Sequence, residues 1–566
     1  MNDIRRTILW VIFAFSLVML WDQWQVHNGR QATFFPRTSS PAAQASAPAE
    51  AVPPASNTVD VPSAAAPAVA APAAATPQSV PEGVAAPRER IEVSTDVLKL
   101  TFDTEGGSVI RSELLRYPES GGSDQAFVLF DTSANNVYQA QSGLIGGAFP
   151  THKTPMAFSG DRQLADGADR LTVQFESAAV GGVKLVKTYT LHRGSYVVDV
   201  THEVVNASDA PVQPQLYLQL VRDGNQPAGQ TPFYSTFTGP AFFTEEKKYQ
   251  KVDFKDIDKG KAEFVRKTPD GYVAMVQHYF ASAWLPTAGS ERENFARKAG
   301  ENLYAAGTIA PVGTVAPGAH STVASRLFVG PQEEKVLEGV APGLELVKDY
   351  GWFTILAKPL YWLLDKIHGV FGNWGWSIVA LVVLLKAAFY WLNAKAYSSM
   401  AKMKALNPKI SAMRERLKDK PQQMQQEMMR MYREEKVNPM GGCLPIMVQI
   451  PVFIALYWVL LSSVEMRGAP WIGWIHDLSV RDPYFILPIT MTLTTLLQTS
   501  LNPLPPDPMQ AKMMWIMPLV FSVMFFFFPA GLVLYWITNN ILSIAQQWVI
   551  NKRMGVPPKF HLPKFS

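Results

Sequence analysis

Cysteine is nearly absent: Cys443 is the single one in 566 residues. A lone thiol excludes an intramolecular disulfide framework and any cysteine-rich metal site. Histidine is also scarce. His152, His192, His202, His278 and His320 share the stretch 90–345 without any metal-ligand spacing. His202 falls in phase with an apolar strand face, where a packed imidazole is the expected role. No glycine-rich phosphate loop or nucleophile motif stands out, so neither nucleotide chemistry nor covalent catalysis has support here. The net charge of +4 is too small to argue for direct contact with nucleic acid. Neither cofactor nor metal is implied.

Aromatic residues are missing from most of 36–87, a tract of Ala, Pro, Ser and Val. It cannot bury a core, and residues 25–89 read as a semi-extended linker. Before it, residues 1–24 combine Arg5 and Arg6 with an apolar run over 8–20, then Trp21 and Trp24. Bulky indoles stand where a signal peptidase needs small residues, so an uncleaved anchor with a cytoplasmic N-terminus is expected. A cleaved signal peptide is the alternative.

Residues 90–345 alternate with period two between turn signals. Leu98, Leu100 and Phe102 precede Gly106-Gly107; Leu171, Val173 and Phe175 precede Gly181-Gly182; Val198, Val200 and Val204 follow Gly194. The pattern predicts an all-β sandwich. Over 351–368 the period becomes helical. Trp352, Ile355, Leu356, Leu360, Leu363 and Ile367 oppose Thr354, Lys358 and Asp365, as in an interfacial helix kinked at Pro359.

The segment 374–392 is apolar and long enough to cross a bilayer, yet it carries Lys386. A lysine at mid-bilayer costs roughly 2.5–3.5 kcal/mol on insertion scales. It either snorkels to the headgroups or is given water and a use. Four more apolar runs follow, at 444–461, 485–501, 513–528 and 532–550, and with the anchor they make six spans. The intervening insert 393–442 holds eleven Lys/Arg against five acids, which marks the cytoplasmic side, as does the basic tail 551–566. The β-domain then lies outside. Asn407-Pro408 reads as a helix start, and Lys420-Pro421 divides the insert into an antiparallel hairpin. Met413 lies on one of its stripes; Met424, Met428 and Met431 form the other. They serve either as the seam between the helices or as an adaptable apolar contact surface. Gln449, Asn539, Asn540, Gln546 and Gln547 recur within spans, where amides line protein or water rather than lipid.

Several ordered motifs in this second part are distinctive: Gly372-Asn373-Trp374-Gly375, Asn438-Pro439-Met440-Gly441-Gly442-Cys443-Leu444-Pro445, Gln449-Ile450-Pro451-Val452-Phe453, Trp474-Ile475-His476-Asp477-Leu478, Asp482-Pro483-Tyr484 and Pro529-Ala530-Gly531-Leu532-Val533-Leu534-Tyr535-Trp536. They resemble the YidC/Oxa/Alb family of membrane protein insertases, over roughly 350–550. The anchor, linker and β-domain fit the layout of its Gram-negative members. The resemblance implies a polytopic α-helical membrane protein of the bacterial inner membrane. It would have six spans, a five-span insertase core over 374–550, a periplasmic β-supersandwich and a cytoplasmic helical hairpin. It further implies a groove open to cytoplasm and lipid, bearing Lys386 and Tyr535, with the span amides Gln449, Asn539 and Asn540 as further expected lining, and an apolar slide of Met447, Ile450, Phe453, Phe525, Phe526 and Phe528. Implied partners are nascent membrane proteins, the Sec translocon, the ribosome and signal recognition particle machinery, and the lipid bilayer. The chain departs from the family's proteobacterial pattern twice: Lys386 replaces an arginine, which gives up bidentate carboxylate pairing, and Val382 replaces a threonine. Two rival classes are a secondary transporter, which would favour paired internal repeats that are not visible here, and a membrane-tethered periplasmic carbohydrate-active or carbohydrate-binding protein.

Overall fold

The computed structural model describes residues 61–62, 88–119, 125–133, 136–227, 236–417, 420–435, 444–502, 508–553 and 555. The expected anchor, nearly all of the linker and most of the basic tail lie outside them. The described residues divide into two units, within 24–348 and within 349–566.

In the first unit, among the described residues, two antiparallel sheets have ten and nine strands. The strand Val137–Ile145 pairs with Gln215–Asp223 in one sheet, and Val183–His192 with Val197–Asn206 in the other. Along Arg170–Ser177 and Val197–Asn206 alternate side chains enter the core, where Phe102, Phe175 and Tyr189 cluster. Leu98–Asp103 turns into Ser108–Pro118 through Gly106, at φ +73°, where a Cβ would lie 2.2 Å from the carbonyl oxygen of His152. Only glycine fits that turn.

Several polar groups buried in this unit find partners. Lys187, fully buried, donates from Nζ to the carbonyls of Gly106 at 2.6 Å and Ser142 at 2.7 Å. Burial lowers its pKa to about 7. His202 shares a 2.9 Å hydrogen bond with the Ser142 hydroxyl, and burial followed by the nearby Lys187 lowers it to about 3. His192 pairs with Asp199, and His152 contacts the Tyr217 hydroxyl. These histidines are held by structural contacts.

The second unit is helical: α1 (Thr354–Phe371), α2 (Trp374–Ala388), α3 (Tyr390–Arg416), α4 (Pro421–Glu434), α5 (Leu444–Ser462), α6 (Ile486–Leu501), α7 (Pro508–Phe525) and α8 (Ala530–Arg553). No single helix among the described residues is long and apolar enough to cross a membrane. The pair Trp374–Ala388 and Tyr390–Ser399 passes that test together, bent by 64°. The expected span over 374–392 is therefore two helices broken at Phe389, which leaves Lys386 in the last turn of α2. A cation is favoured there by the unpaired carbonyls of the helix end.

Asn407-Pro408 does not start a helix: α3 continues through Pro408. Leu406 and Ile410 both pack against Met431 and Tyr432 of α4, and keeping both in that seam requires a continuous helix across the proline. The expected run 513–528 likewise ends early as a helix, at Phe525, with a turn over 526–528.

The loop 463–485, at the end of α5 far from the hairpin, is fastened by backbone and side-chain bonds. Asn373 caps α2 by accepting from the Trp376 N–H, and its amide donates to the carbonyls of Pro470 and Trp471. Buried Asp482 accepts from the Trp474 indole and from the N–H groups of Tyr484 and Leu487. The N–H groups of Ala530 and Gly531 bond to Val480 and Leu478.

Candidate insertion pocket

Three helices bring the chemistry together. A small pocket is lined by Val382, Leu385, Lys386 and Phe389 at the end of α2, by Gln449, Val452 and Phe453 of α5, and by Tyr535 and Asn539 of α8. Lys386 is 9% exposed. Its Nζ donates to Ser543 Oγ at 2.8 Å, while that hydroxyl donates to the Asn539 carbonyl at 2.7 Å. Ser543 thus presents only its lone pairs to the ammonium. Among the described residues Lys386 forms no ion pair. The pocket therefore holds a cation whose partner is neutral, beside two amides and a phenol.

Of the groove residues expected from sequence, Lys386, Gln449, Tyr535 and Asn539 share this pocket. Asn540 sits elsewhere: its amide donates to Thr495 at 2.9 Å and Thr494 at 3.3 Å, between α8 and α6. Adjacent residues on a helix point about 100° apart, so Asn539 and Asn540 serve different neighbours.

The slide residues also separate. Met447 and Ile450 stand exposed on α5, at 62% and 46%. Phe453 stacks on Trp536, with centroids 5.6 Å apart and an 8° interplanar angle. Phe525 packs edge-on against Phe528 and Trp536, and Phe526 meets Phe485. Phe527 is the exposed member of that run. In the hairpin, Met413 is buried and Met431 joins the seam, with Met424 and Met428 half-buried; Met429, on another face, is half-exposed.

Two polar residues escaped the sequence reading. Ser543 follows Tyr535 and Asn539 at i+8 and i+4, a spacing that puts all three on one helix face. Asn393, just past the break, is buried and bonds Gln449 and Gln546. No sequence signal marks it, because the break itself is unmarked.

A chain of this architecture, an all-β unit followed by helices around a lysine-bearing pocket, matches two family models in succession: the YidC periplasmic domain over residues 90–363 and the 60Kd inner membrane protein over 366–556. The chain is a membrane protein with a periplasmic domain. Among curated relatives, the membrane protein insertase YidC of Cupriavidus necator is 57% identical over 554 residues, and that of Bordetella petrii 56% over 558, each alignment covering 98% of both chains. A crystal structure of an active YidC insertase with its first transmembrane domain resolved covers 81% of this chain and 91% of its own, at 18% identity and a TM-score of 0.37. The chain belongs to the YidC family, and its activity is membrane protein insertion.

Proposed function

We propose that insertion runs through the Lys386 pocket. An acidic polar segment of a nascent protein enters it from the hairpin side, and the adjoining apolar segment leaves along Met447, Ile450 and Phe453 into lipid. The observation that carries this is that, among the described residues, buried Lys386 pairs with the neutral Ser543 hydroxyl and with no acid. A substrate carboxylate replaces a hydroxyl and gains a charge-assisted bond, so its attraction exceeds what it displaces. The apolar half needs no input beyond its own burial. Crossing a polar tail through dry hydrocarbon meets a large desolvation barrier, which a wet pocket shortens. No nucleotide hydrolysis is required, and the chain is not an enzyme in the catalytic sense.

On this reading the protein spans the inner membrane six times. The hairpin and both termini are cytoplasmic, and the fastened loop 463–485 closes the pocket toward the periplasm. Delivery at the hairpin brings the ribosome and signal recognition particle machinery, and larger substrates bring the Sec translocon. The test is reconstitution of the purified chain in liposomes with a small single-span substrate and no translocon. Protease-protected substrate is expected; none forming overturns the reading.

A further inference from the structure

Asn393 has no role in charge attraction, yet it is the centre of a second polar feature. It lies just over one helical turn past the break at Phe389, and its N–H bonds the Phe389 carbonyl. Its Oδ1 accepts from Gln449 Nε2 of α5, and its Nδ2 donates to Gln546 Oε1 of α8 at 3.3 Å. Gln546 Nε2 then donates to the backbone carbonyl of Lys386 at 3.2 Å. That carbonyl belongs to the last turn of α2, where the interruption of the helix frees acceptors. Three side-chain amides therefore tie α5 to α3, α3 to α8, and α8 back to the residue that carries the pocket's cation.

Gln449 is both a wall of the pocket and the first link of this chain. Gln449, a wall of the pocket, cannot move away from α3 unless its bond to Asn393 opens. Asn393 is buried, and leaving its amide unpaired is costly, so opening needs an incoming group with a matching donor and acceptor. A peptide group supplies both; a lipid acyl chain supplies neither.

We propose that the Gln449–Asn393–Gln546 chain is a latch on the hairpin side of the pocket, and that Asn393 is a positioning residue for the substrate backbone. The latch holds α5 against α3 while the pocket is empty. It opens by exchanging the Gln449 amide for peptide groups of the entering polypeptide. This rests on the insertion pathway proposed above and adds to it a charge-independent element, one that admits polypeptide and keeps acyl chains out.

The test uses the full chain with Cys443→Ser, Asn393→Cys and Gln449→Cys, joined by a short, reducible bis-methanethiosulfonate linker in proteoliposomes. Single-span substrates with acidic or neutral tails are presented to it. Linking is expected to slow both substrates by roughly tenfold, the scale of a buried polar exchange that can no longer occur, and reduction should restore the rate in the same sample. A linked chain that keeps pace with its reduced form overturns the latch. If the unsubstituted chain inserts neither substrate, the insertion pathway falls as well, and the two failures are thereby told apart. As a second measurement, Asn393→Leu should slow acidic and neutral tails equally, with Asn393→Gln recovering part of the loss. A deficit confined to acidic tails would show that Asn393 acts through charge and would overturn the proposal.

Discussion

Replacing Lys386 by methionine removes the pocket's charge while keeping a flexible side chain of similar reach. A substrate carboxylate about 4 Å from the ammonium gains about 1 kcal/mol in a water-like medium and about 4 kcal/mol at an effective dielectric of about 20. Displacing the Ser543 hydroxyl, 2.8 Å from Nζ, costs about 1 kcal/mol of that. A partly wet pocket therefore leaves on the order of 1–3 kcal/mol, or roughly a 5- to 150-fold preference. Lys386→Met should slow insertion of an acidic-tailed single-span protein by a factor in that range and leave a neutral-tailed counterpart unchanged. Lys386→Arg should keep the preference. The assay is the rate of protease protection in liposomes, with both tails on one apolar segment. Added salt should change little, since a buried pair is weakly screened. An equal loss for both tails, or no loss for either, refutes the charge argument.

Two further expectations concern stability. Gly375→Ala places a Cβ 2.2 Å from Trp471 Cδ1 and 2.4 Å from its Cγ, atoms near the root of the side chain that cannot swing clear. It should destabilise the helical unit by about 1–3 kcal/mol, seen as a lowered thermal midpoint in detergent; an unchanged midpoint refutes the contact. In the β-unit, folding holds Lys187 at about 7 against its ordinary 10.5. Between those values the unfolded chain binds more protons, so stability rises with pH by up to about 1.4 kcal/mol per unit, and below about 7 the penalty is complete. Lys187→Met should flatten that rise, measured by hydrogen exchange over residues 183–206. An identical slope in the variant refutes it.

Several strands, and the presence of a cation within an apolar run, are legible in the sequence. One charge in an apolar run announced Lys386, because hydrocarbon makes such a residue conspicuous. Period-two alternation announced the strands, because sheets with one face in the core impose it. Ser543 carried no such mark, since serine is inexpensive in almost any setting. Asn540 looked equivalent to Asn539, and only the rotation of α8 against α6 separates their roles. The break at Phe389 has neither glycine nor proline to signal it. Pro408, by contrast, signalled a boundary that packing of Leu406 and Ile410 overrode. The run 525–528 is uniform in composition but not in environment, because the helix ends within it.

The rotation of α8 has a consequence for how this protein is itself made. Tyr535, Asn539 and Ser543 address the pocket, Gln546 addresses α2 and α3, and Asn540 and Gln547 bond residues of α6 and the start of the loop beyond it. A helix wet on more than one side is a poor candidate for entering lipid alone. It becomes acceptable once α2 and α6 are in place to receive it. On the proposed insertion reading, α8 is then a client of α2 and α6, which precede it in the chain, and the molecule poses to its own earlier helices the same problem that it solves for other chains.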